Sequence, residues 1–326
     1  MKAVLCRQFG PPSVLRVEDV PSPRPGPGQL VIATRACGVN FPDTLIIQGK
    51  YQFKPDFPFS PGGEVSGIVK ELGDGVTTFR VGDRVIAATT FGGYAQEVVA
   101  DAARTIPMPD GMDFASAAAF VLTYGTSHHA LKDRANLQPG ETLLVLGAAG
   151  GVGLAAVALG KLIGARVIAA ASTPEKLAVC VAHGADETID YAAEDLRARI
   201  KELTGGKGVD VVYDPVGGDF SEPALRSMAW NGRFLVVGFA AGTIPDLPLN
   251  LPLLKGCSVV GVFWGGFTRN EPERNKINLR ELGSWAAEGK LRPHVSARYP
   301  LERAAEALQA LIDRKVQGKV VLVNED

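Results

Sequence analysis

The stretch LLVLGAAGGVGLAAVALGKL, residues 143–162, places an apolar run, a glycine-rich turn and a second apolar run in that order. The first run has the length of a buried strand, and the second has the alanine and leucine content of a helix. Gly150 and Gly153 occupy the second and third glycine positions of the pattern G-x-G-x-x-G, and Ala148 takes the first. In this pattern the second glycine lets the backbone approach a pyrophosphate, and the third lets the helix pack on the strand. The stretch therefore predicts a strand, turn and helix that bind a dinucleotide.

The binding site for the phosphates is predicted at the start of the helix, where free N–H groups and the helix dipole favour negative charge. We expect it to consist of Ala148, Gly150, Gly151, Val152 and Gly153. The alternative is a tight turn without a ligand. The flanking strand and helix, inside a run of further β-α units, favour the dinucleotide.

The chain around this stretch alternates short apolar strands with helices. Strands are predicted over 141–147, 166–171, 187–190, 208–214, 232–239 and 257–264, and helices over 151–165, 174–185, 193–206 and 221–230. This alternation predicts a doubly wound parallel sheet in an α/β protein.

The residues on either side of these units follow a different pattern. The first 120 or so are rich in strands and turns, with strand runs over 29–40, 62–73 and 82–100, and a helix is expected over 113–131. After Trp264, helices at 278–291 and 301–315 and a strand at 318–324 no longer follow the β-α alternation.

Composition excludes several classes of function. The 326 residues are 46% hydrophobic and 21% charged, with a net charge of -1 and no run of lysine or arginine, so neither nucleic acid nor an anionic membrane is an expected partner. No apolar run is long enough to span a bilayer, and the N-terminus lacks the features of a signal peptide, so a cytoplasmic location is expected. The four cysteines form no C-x-x-C motif and are expected to be free thiols.

The end of the second strand of the β-α run lacks an expected acid. In an NAD site, Asp or Glu at this point accepts hydrogen bonds from the ribose hydroxyls and repels a 2′-phosphate. Here Ala171 and Ser172 stand at that position, followed by Thr173 and, one helical turn on, Lys176. A hydroxyl and a cation suit a 2′-phosphate, so the pattern favours NADPH. For Lys176 taken alone, an ordinary solvated helix residue is the alternative.

Nine motifs spread over the chain carry a family resemblance. They are GVNFPDT (38–44), PFSPGGEVSGIV (58–69), VGDRV (81–85), GAAGGVG (147–153), GADETIDY (184–191), DPVGGD (214–219), NGRFLVVGFAAG (231–242), GVFWGG (261–266) and QGKVVL (317–322). With them the chain resembles the medium-chain dehydrogenase/reductase superfamily, in the zinc-free quinone oxidoreductase branch related to zeta-crystallin. The resemblance implies a GroES-like catalytic domain over 1–121, a Rossmann nucleotide-binding domain over 122–264, and a segment, 265–326, that returns to the catalytic domain.

The resemblance also implies roles for individual residues. Asn40 and Asp43 of GVNFPDT match residues beside the nicotinamide end of the cofactor, and Thr123 matches a threonine near the same end. Positions that contact the adenosine 2′-phosphate in similar enzymes are matched by Ser172, Lys176, Tyr191 and Arg314. Positions that line the other flank of the cofactor are matched by Phe239, Phe263 and Trp264.

No metal site is predicted. Zinc alcohol dehydrogenases of this superfamily hold the metal with a Cys, a Gly-His-Glu motif and a further Cys. Here Asn40 stands in the region of the first Cys, and GGE at 62–64 lacks the histidine. Zinc needs several nitrogen or sulfur ligands that converge on it, and the four histidines are scattered over the chain.

Without a metal, a conjugated acceptor is an easier substrate than a simple alcohol, because its oxygen delocalises the charge that hydride brings. We therefore expect hydride transfer from NADPH to quinones or α,β-unsaturated carbonyl compounds. Tyr51 is either the proton donor or a wall of an aromatic pocket with Phe53, Phe57 and Phe91. The alternatives are an enoyl-CoA reductase, an NADPH-binding protein with little turnover, and RNA binding, which the charge disfavours. Similar enzymes join their nucleotide domains through the strand that matches 257–264, so a homodimer is also expected, since an apolar edge strand needs a partner. The alternative is an edge that a loop covers.

Overall fold

The computed structural model describes residues 1–324. Its strands are β1 (Lys2–Leu5), β2 (Arg16–Asp19), β3 (Gln29–Val39), β4 (Glu64–Leu72), β5 (Arg84–Ala88), β6 (Glu97–Asp101), β7 (Thr105–Pro107), β8 (Thr142–Leu146), β9 (Arg166–Ala171), β10 (Glu187–Asp190), β11 (Val209–Asp214), β12 (Met228–Val236), β13 (Ser258–Gly261), β14 (Val295–Pro300) and β15 (Lys319–Val323). Its α-helices are α1 (Phe41–Ile46), α2 (Phe114–Ala117), α3 (Val121–His128), α4 (Gly151–Ile163), α5 (Pro174–Ala182), α6 (Leu196–Leu203), α7 (Ser221–Arg226), α8 (Asn250–Lys255), α9 (Trp264–Asn270), α10 (Pro272–Ala287) and α11 (Ala304–Ile312). A π-helical turn covers His129–Arg134, and short 3-10 turns cover Pro12–Val14, Ala102–Arg104, Gly218–Phe220 and Leu301–Arg303.

The chain divides into two compact units. The first consists of Met1–Leu122 together with the residues from Arg292 onward, and the second consists of Thr123–Leu291. In sequence, the second unit is therefore inserted between the two segments of the first. No helix in the described part of the chain has the length and apolar character needed to cross a membrane.

The second unit is built on one parallel sheet of six strands. Their order is β10-β9-β8-β11-β12-β13, and every neighbouring pair is parallel. Counted from β8 this is the order 3-2-1-4-5-6 of the Rossmann fold. Central strands buried on both faces require continuous apolar runs, and Leu143–Leu146 of β8 are all fully buried. The predicted doubly wound sheet is confirmed.

The quoted stretch folds as its pattern predicts. Strand β8 ends at Leu146, and α4 begins at Gly151 after a short turn. The helix ends where Gly164 adopts a left-handed conformation with φ of 96°, which glycine tolerates without strain.

The first unit contains a mixed sheet with the order β14-β15-β3-β4-β5-β7, and β6 also pairs with β3. All pairs are antiparallel except β14 with β15. A separate antiparallel ribbon joins β1 to β2. Because β15 pairs with β3, with Val320 opposite Val39, the last strand lies beside the residues that precede α1. The predicted β-rich, GroES-like unit is confirmed.

Several elements differ from the sequence prediction, and three of them are broken or shortened. The single helix expected over 113–131 is broken into α2 and α3, and it continues as a π-helical turn. The helix expected over 221–230 ends at Arg226, because Met228 already pairs with Val209 of the parallel sheet. The strand expected over 257–264 is only β13, and Trp264 begins α9.

The boundary placed at residue 265 also differs. Helices α9 and α10 belong to the second unit, and the chain returns to the first unit only at Arg292. Polar contacts hold α10 to the second unit. Glu281 of α10 accepts a hydrogen bond from Lys132 and lies 2.8 Å from Nε2 of His128. Arg274 of the same helix donates to Asp133 at 2.7 Å. Charged residues on an amphipathic helix gave no sign of which unit they would pair with.

Candidate active site

Asp43 joins three separate segments of the first unit. Its carboxylate accepts hydrogen bonds from the backbone N–H of Asn40 at 2.8 Å and from the backbone N–H of Gly62 at 3.3 Å. The hydroxyl of Tyr94 donates to the same carboxylate at 3.1 Å. Asp43 is the third residue of α1, so this carboxylate also satisfies a backbone donor at the helix start. Asn40 and Asp43, predicted as neighbours in the site, are held together by this contact.

The Asn40 side chain is held by β15 and β4. The ammonium of Lys319, the first residue of β15, donates to Asn40 Oδ1 and, at 2.9 Å, to the backbone carbonyl of Val39. Asn40 Nδ2 donates to the carbonyl of Gly38 at 3.2 Å and lies 3.4 Å from Glu64 Oε2.

Glu64 completes this arrangement. Its Oε1 accepts from the backbone N–H of Leu122 at 2.8 Å, and its Oε2 lies 3.8 Å from Lys319 Nζ. Asn40, Asp43, Glu64 and Lys319 are all buried. We refer to these four residues as the Lys319 cluster. It contains two carboxyl groups and one ammonium, so the cation compensates buried negative charge.

Burial dominates the ionisation of the cluster. Loss of water raises the pKa of Asp43 from 3.8 to about 6, while the Asn40 N–H and the Lys319 charge oppose the rise. Burial also raises the pKa of Glu64 and lowers that of Lys319. The nearby Cys37 thiol has a pKa well above its ordinary value, because it is buried and faces the charges of Asp43 and Glu64. A thiol in this setting remains protonated and is a poor nucleophile.

Tyr51 lies in the loop after α1, partly buried against the core of the first unit. The same loop carries two exposed phenylalanines. Phe53 stacks on Phe91 with ring centroids 5.5 Å apart, and Phe57 meets Phe9 edge-on at 4.7 Å. These ring pairs lie in the segment that follows Tyr51 and do not include it, so both roles considered for Tyr51, proton donor and wall of an aromatic pocket, stay predictions.

The glycine turn of the second unit packs closely against the start of α4. A Cβ on Gly153 would lie 2.5 Å from the carbonyl oxygen of Gly147, so only glycine fits there. No side chain caps the start of α4, which begins at Gly151 after an extended Gly150. The arrangement has the close backbone approach and the free helix start that a dinucleotide pyrophosphate requires.

Three predicted 2′-phosphate residues meet at the carboxyl end of β9 and β10. The Lys176 ammonium donates to Ser172 Oγ at 3.1 Å. Thr173 caps α5, because its hydroxyl accepts the Lys176 N–H, and so fixes Lys176 in the first turn. The Tyr191 N–H donates to the carbonyl of Ala171 at 3.1 Å, and its ring packs on Phe220 at 4.3 Å. Ser172, Lys176 and Tyr191 are therefore neighbours.

The remaining predicted residues are spread over both units. Thr123 is buried in α3, and the Trp264 ring packs on the same helix at Gly125. Phe263 is half exposed, and Phe239 packs on Gly217. Arg314 belongs to the first unit, where it follows α11 with a φ of 58°.

Sequence reasoning missed the roles of Glu64, Tyr94, Asp214 and Lys319. Asp214, at the end of β11, accepts from the N–H groups of Val216 and Gly217 at 2.8 Å and from the Ser221 hydroxyl at 2.6 Å. It shapes the turn after β11. For Glu64, Lys319 and Asp214 the available signal was a charged residue at the first or last position of an apolar strand, as in GGEVSGIV, GKVVLV and VVYDPVGG.

The residues present do not suit a zinc ion. Among residues 1–324, no group of three or more His, Cys, Asp or Glu side chains is arranged to hold a metal. Asp43 and Glu64 already bind N–H donors and face the Lys319 ammonium, which repels a second cation. The adjacent His128 and His129 pair with Glu281 and Asp133.

Comparison with known proteins places the fold and these motifs in one class. The family model described as alcohol dehydrogenase GroES-like domain matches residues 26–110, and the one described as zinc-binding dehydrogenase matches residues 151–279. The chain belongs to the medium-chain dehydrogenase/reductase superfamily, among the quinone oxidoreductases, a family of oxidoreductases.

Individual relatives show how similar the chain is to known quinone oxidoreductases. The chain is 43% identical to quinone oxidoreductase-like protein 2 homolog of Nematostella vectensis over 325 residues, 98% of this chain and 88% of that protein. It is similar to the structure of mycobacterial Rv1454c complexed with NADPH, at 36% identity and a TM-score of 0.93, over 99% and 100% of the two chains. Escherichia coli quinone oxidoreductase complexed with NADPH matches at 32% identity and a TM-score of 0.92, over 99% and 100%. The resemblance stated from the motifs is confirmed, and the similar proteins include quinone oxidoreductase-like protein 2 of Bos taurus, at 40% identity over 98% of this chain and 92% of that protein.

Proposed function

We propose that this protein transfers hydride from NADPH to quinones or to α,β-unsaturated carbonyl compounds without a metal. The observation that carries the proposal is the Lys176 ammonium, 3.1 Å from the Ser172 hydroxyl, at the point where an NAD site has a carboxylate. A cation and a hydroxyl stabilise a 2′-phosphate, whereas a carboxylate would repel it. The two similar structures that contain NADPH support this choice of cofactor.

The glycine turn and the pair Ser172 and Lys176 would hold the two phosphate-bearing parts of the cofactor. When bound, NADPH supplies the hydride, and the chain supplies orientation and a proton. Asn40 and Thr123 are proposed to contact the nicotinamide end. Tyr51 is proposed to donate a proton to the oxygen on which charge develops.

Zinc independence is supported by the Lys319 cluster. Two buried carboxyl groups would attract a divalent cation, but the ammonium of Lys319 already lies beside Asn40 Oδ1 and Glu64 Oε2. A conjugated acceptor does not require a Lewis acid, since its own oxygen accepts the charge. The names of the quinone oxidoreductase relatives agree with such an acceptor.

Two other functions would share the same fold. An enoyl-CoA reductase would use the same hydride chemistry on a thioester, and a holder of NADPH would bind the cofactor with little turnover. No observation in the structure favours either of them over reduction of quinones or enones.

We also propose a homodimer joined through β13. This strand is the last of the parallel sheet and pairs only with β12 among the described strands. Four exposed apolar residues lie on the adjacent strand β12 and in the α8 segment that precedes β13: Trp230 (71% exposed), Leu249 (82%), Leu253 (79%) and Leu254 (71%). An edge strand with exposed apolar residues in the neighbouring segments is a liability unless a second chain covers it.

The experiment that tests the proposed function follows NADPH oxidation with a panel of quinones, enones, enoyl-CoAs and aldehydes, on protein of known metal content. The proposal predicts acceptor-dependent oxidation with quinones or enones that a chelator leaves unchanged. Oxidation with enoyl-CoAs alone would favour the enoyl-CoA reductase. Binding of NADPH without oxidation by any acceptor would favour the holder.

A further inference from the structure

Lys319 is an unusual residue for its position. It begins an apolar strand, and only 4% of its surface is exposed. A buried ammonium is costly unless hydrogen bonds and negative charge replace its water. Lys319 has both, from Asn40 Oδ1, the Val39 carbonyl and the Glu64 carboxylate. Several buried polar groups of the chain therefore hold one cation beside Asn40.

The ammonium determines which way the Asn40 amide faces. An ammonium only donates hydrogen bonds, whereas the two ends of an asparagine amide are a donor and an acceptor of nearly equal size. In the observed orientation Oδ1 faces Lys319, and Nδ2 faces two acceptors, the Gly38 carbonyl and Glu64 Oε2. Turned over, the amide would set its NH₂ against the ammonium and its oxygen against both acceptors. Every contact would change from attractive to repulsive.

This orientation limits what Asn40 can bind. Both Nδ2 hydrogens have an acceptor within reach, at 3.2 Å and 3.4 Å. Oδ1 accepts from Lys319 and has a second lone pair. The free hydrogen-bonding capacity of the amide is thus that of an acceptor. A ligand group held by Asn40 must be a donor, such as a sugar hydroxyl or a carboxamide NH₂.

We infer that Lys319 is a positioning residue, which fixes the Asn40 amide so that its oxygen is presented to a hydrogen-bond donor of the bound cofactor. The inference rests on the proposed function in one respect only, the assignment of Asn40 to the nicotinamide end. The hold of Lys319 on the amide is a property of the first unit by itself. The two parts are measured separately.

The effect of Lys319 on the Asn40 side-chain amide is measured by NMR with selectively ¹⁵N-labelled asparagine, in the protein without cofactor. The Asn40 side-chain NH₂ signals are assigned by their loss in Asn40→Ala. Lys319→Met removes the charge and keeps an apolar chain of similar length, so we expect these signals to shift or broaden. Lys70→Met is the matched control, because Lys70 pairs with Glu97 at the surface of the same sheet, and it should leave them in place.

The consequence for catalysis is measured as kcat and KM with a quinone. We expect Lys319→Met to lower kcat by about tenfold to a hundredfold, since a small misplacement of the reacting groups has that effect. The KM for the quinone should change little, and Lys70→Met should behave as the wild type. A general loss of folded protein would instead lower the amount of active enzyme without moving the Asn40 signals of the folded fraction.

If Lys319→Met does not fold, Glu64→Gln/Lys319→Met removes the carboxylate that the cation compensates, and it is compared with Glu64→Gln alone. The inference is overturned if the Asn40 signals and kcat are the same in Lys319→Met as in the wild type. It is likewise overturned if they are the same in Glu64→Gln/Lys319→Met as in Glu64→Gln. If the wild type oxidises no NADPH, the proposed function fails while the NMR comparison still decides whether Lys319 fixes the amide. Displaced Asn40 signals with an unchanged kcat would overturn the catalytic part of the inference.

Discussion

The Lys176 ammonium donates to the Ser172 hydroxyl at 3.1 Å, at the carboxyl end of the second strand of the Rossmann unit. The backbone fixes where both residues stand: β9 ends just before Ser172, and the Thr173 cap places Lys176 in the first turn of α5. A positive group is thus prepared where a ribose-binding carboxylate would stand in an NAD enzyme.

The first prediction concerns cofactor choice. Lys176→Met should weaken NADPH binding about tenfold or more and leave NADH binding nearly unchanged, because a hydrogen bond to a charged group contributes about 1.5–3 kcal/mol. The dissociation constants are measured by titration of cofactor fluorescence. Lys201→Met, on the exposed side of α6, is the control and should alter neither constant. Equal losses for both cofactors would remove Lys176 from the 2′-phosphate site.

The second prediction separates the two roles considered for Tyr51. If its hydroxyl donates a proton, Tyr51→Phe should lower kcat for enones more than for quinones, since a reduced quinone can take protons from water. NADPH affinity should change little. Tyr299→Phe, in β14 of the same unit, is the control. Enone and quinone rates that both survive Tyr51→Phe would assign Tyr51 to the wall of the aromatic pocket.

The third prediction follows from the buried Asp43. Its pKa in the folded protein is raised from 3.8 to about 6, so the folded state binds this proton more tightly than the unfolded state does. The resulting contribution to stability is fully present below the unfolded pKa and is lost as pH rises through the folded pKa. The free energy of unfolding of the wild type should therefore fall relative to that of Asp43→Asn as pH rises from about 4 to 6.

This difference is measured by urea denaturation of both proteins across that pH range. Asp110→Asn, which alters an exposed carboxylate of the same unit, should follow the wild type. A constant difference between wild type and Asp43→Asn would show that Asp43 does not titrate in this range.

The fourth prediction concerns assembly. Light scattering should give twice the 34.4 kDa mass of the chain at micromolar concentration. Leu254→Glu should yield the monomer, because it places a charge in the apolar surface beside β13. Val181→Glu, at an exposed valine of α5, should remain a dimer. A wild type that is monomeric throughout would contradict the proposed interface.

The Rossmann unit was predictable because its signals are local. Alternating apolar strands and helices and the turn at Gly150 and Gly153 specify the parallel sheet, and β9 to β11 were placed within a residue or so of their observed bounds. The pair of Ser172 and Lys176 was also accessible, because the two are four residues apart on one helix start.

The Lys319 cluster was not predictable in the same way. Asn40 and Lys319 are 279 residues apart, and only the antiparallel pairing of β15 with β3 brings them together. A lysine at the start of an apolar strand has no periodicity that reports its partner. The same holds for Glu281 and His128, whose contact places α10 in the second unit.

Whether this chain moves hydride from NADPH to a conjugated acceptor is decided by following an isotope from the cofactor into the product. Metal-analysed, chelator-treated protein is incubated with NADPH that carries deuterium at both C4 positions and with an α,β-unsaturated ketone, and the product is examined by mass spectrometry and NMR. We predict one deuterium on the carbon β to the carbonyl, incorporated at the same rate with and without chelator. A product without deuterium at that carbon, or deuterium transfer that stops when the metal is removed, would contradict it.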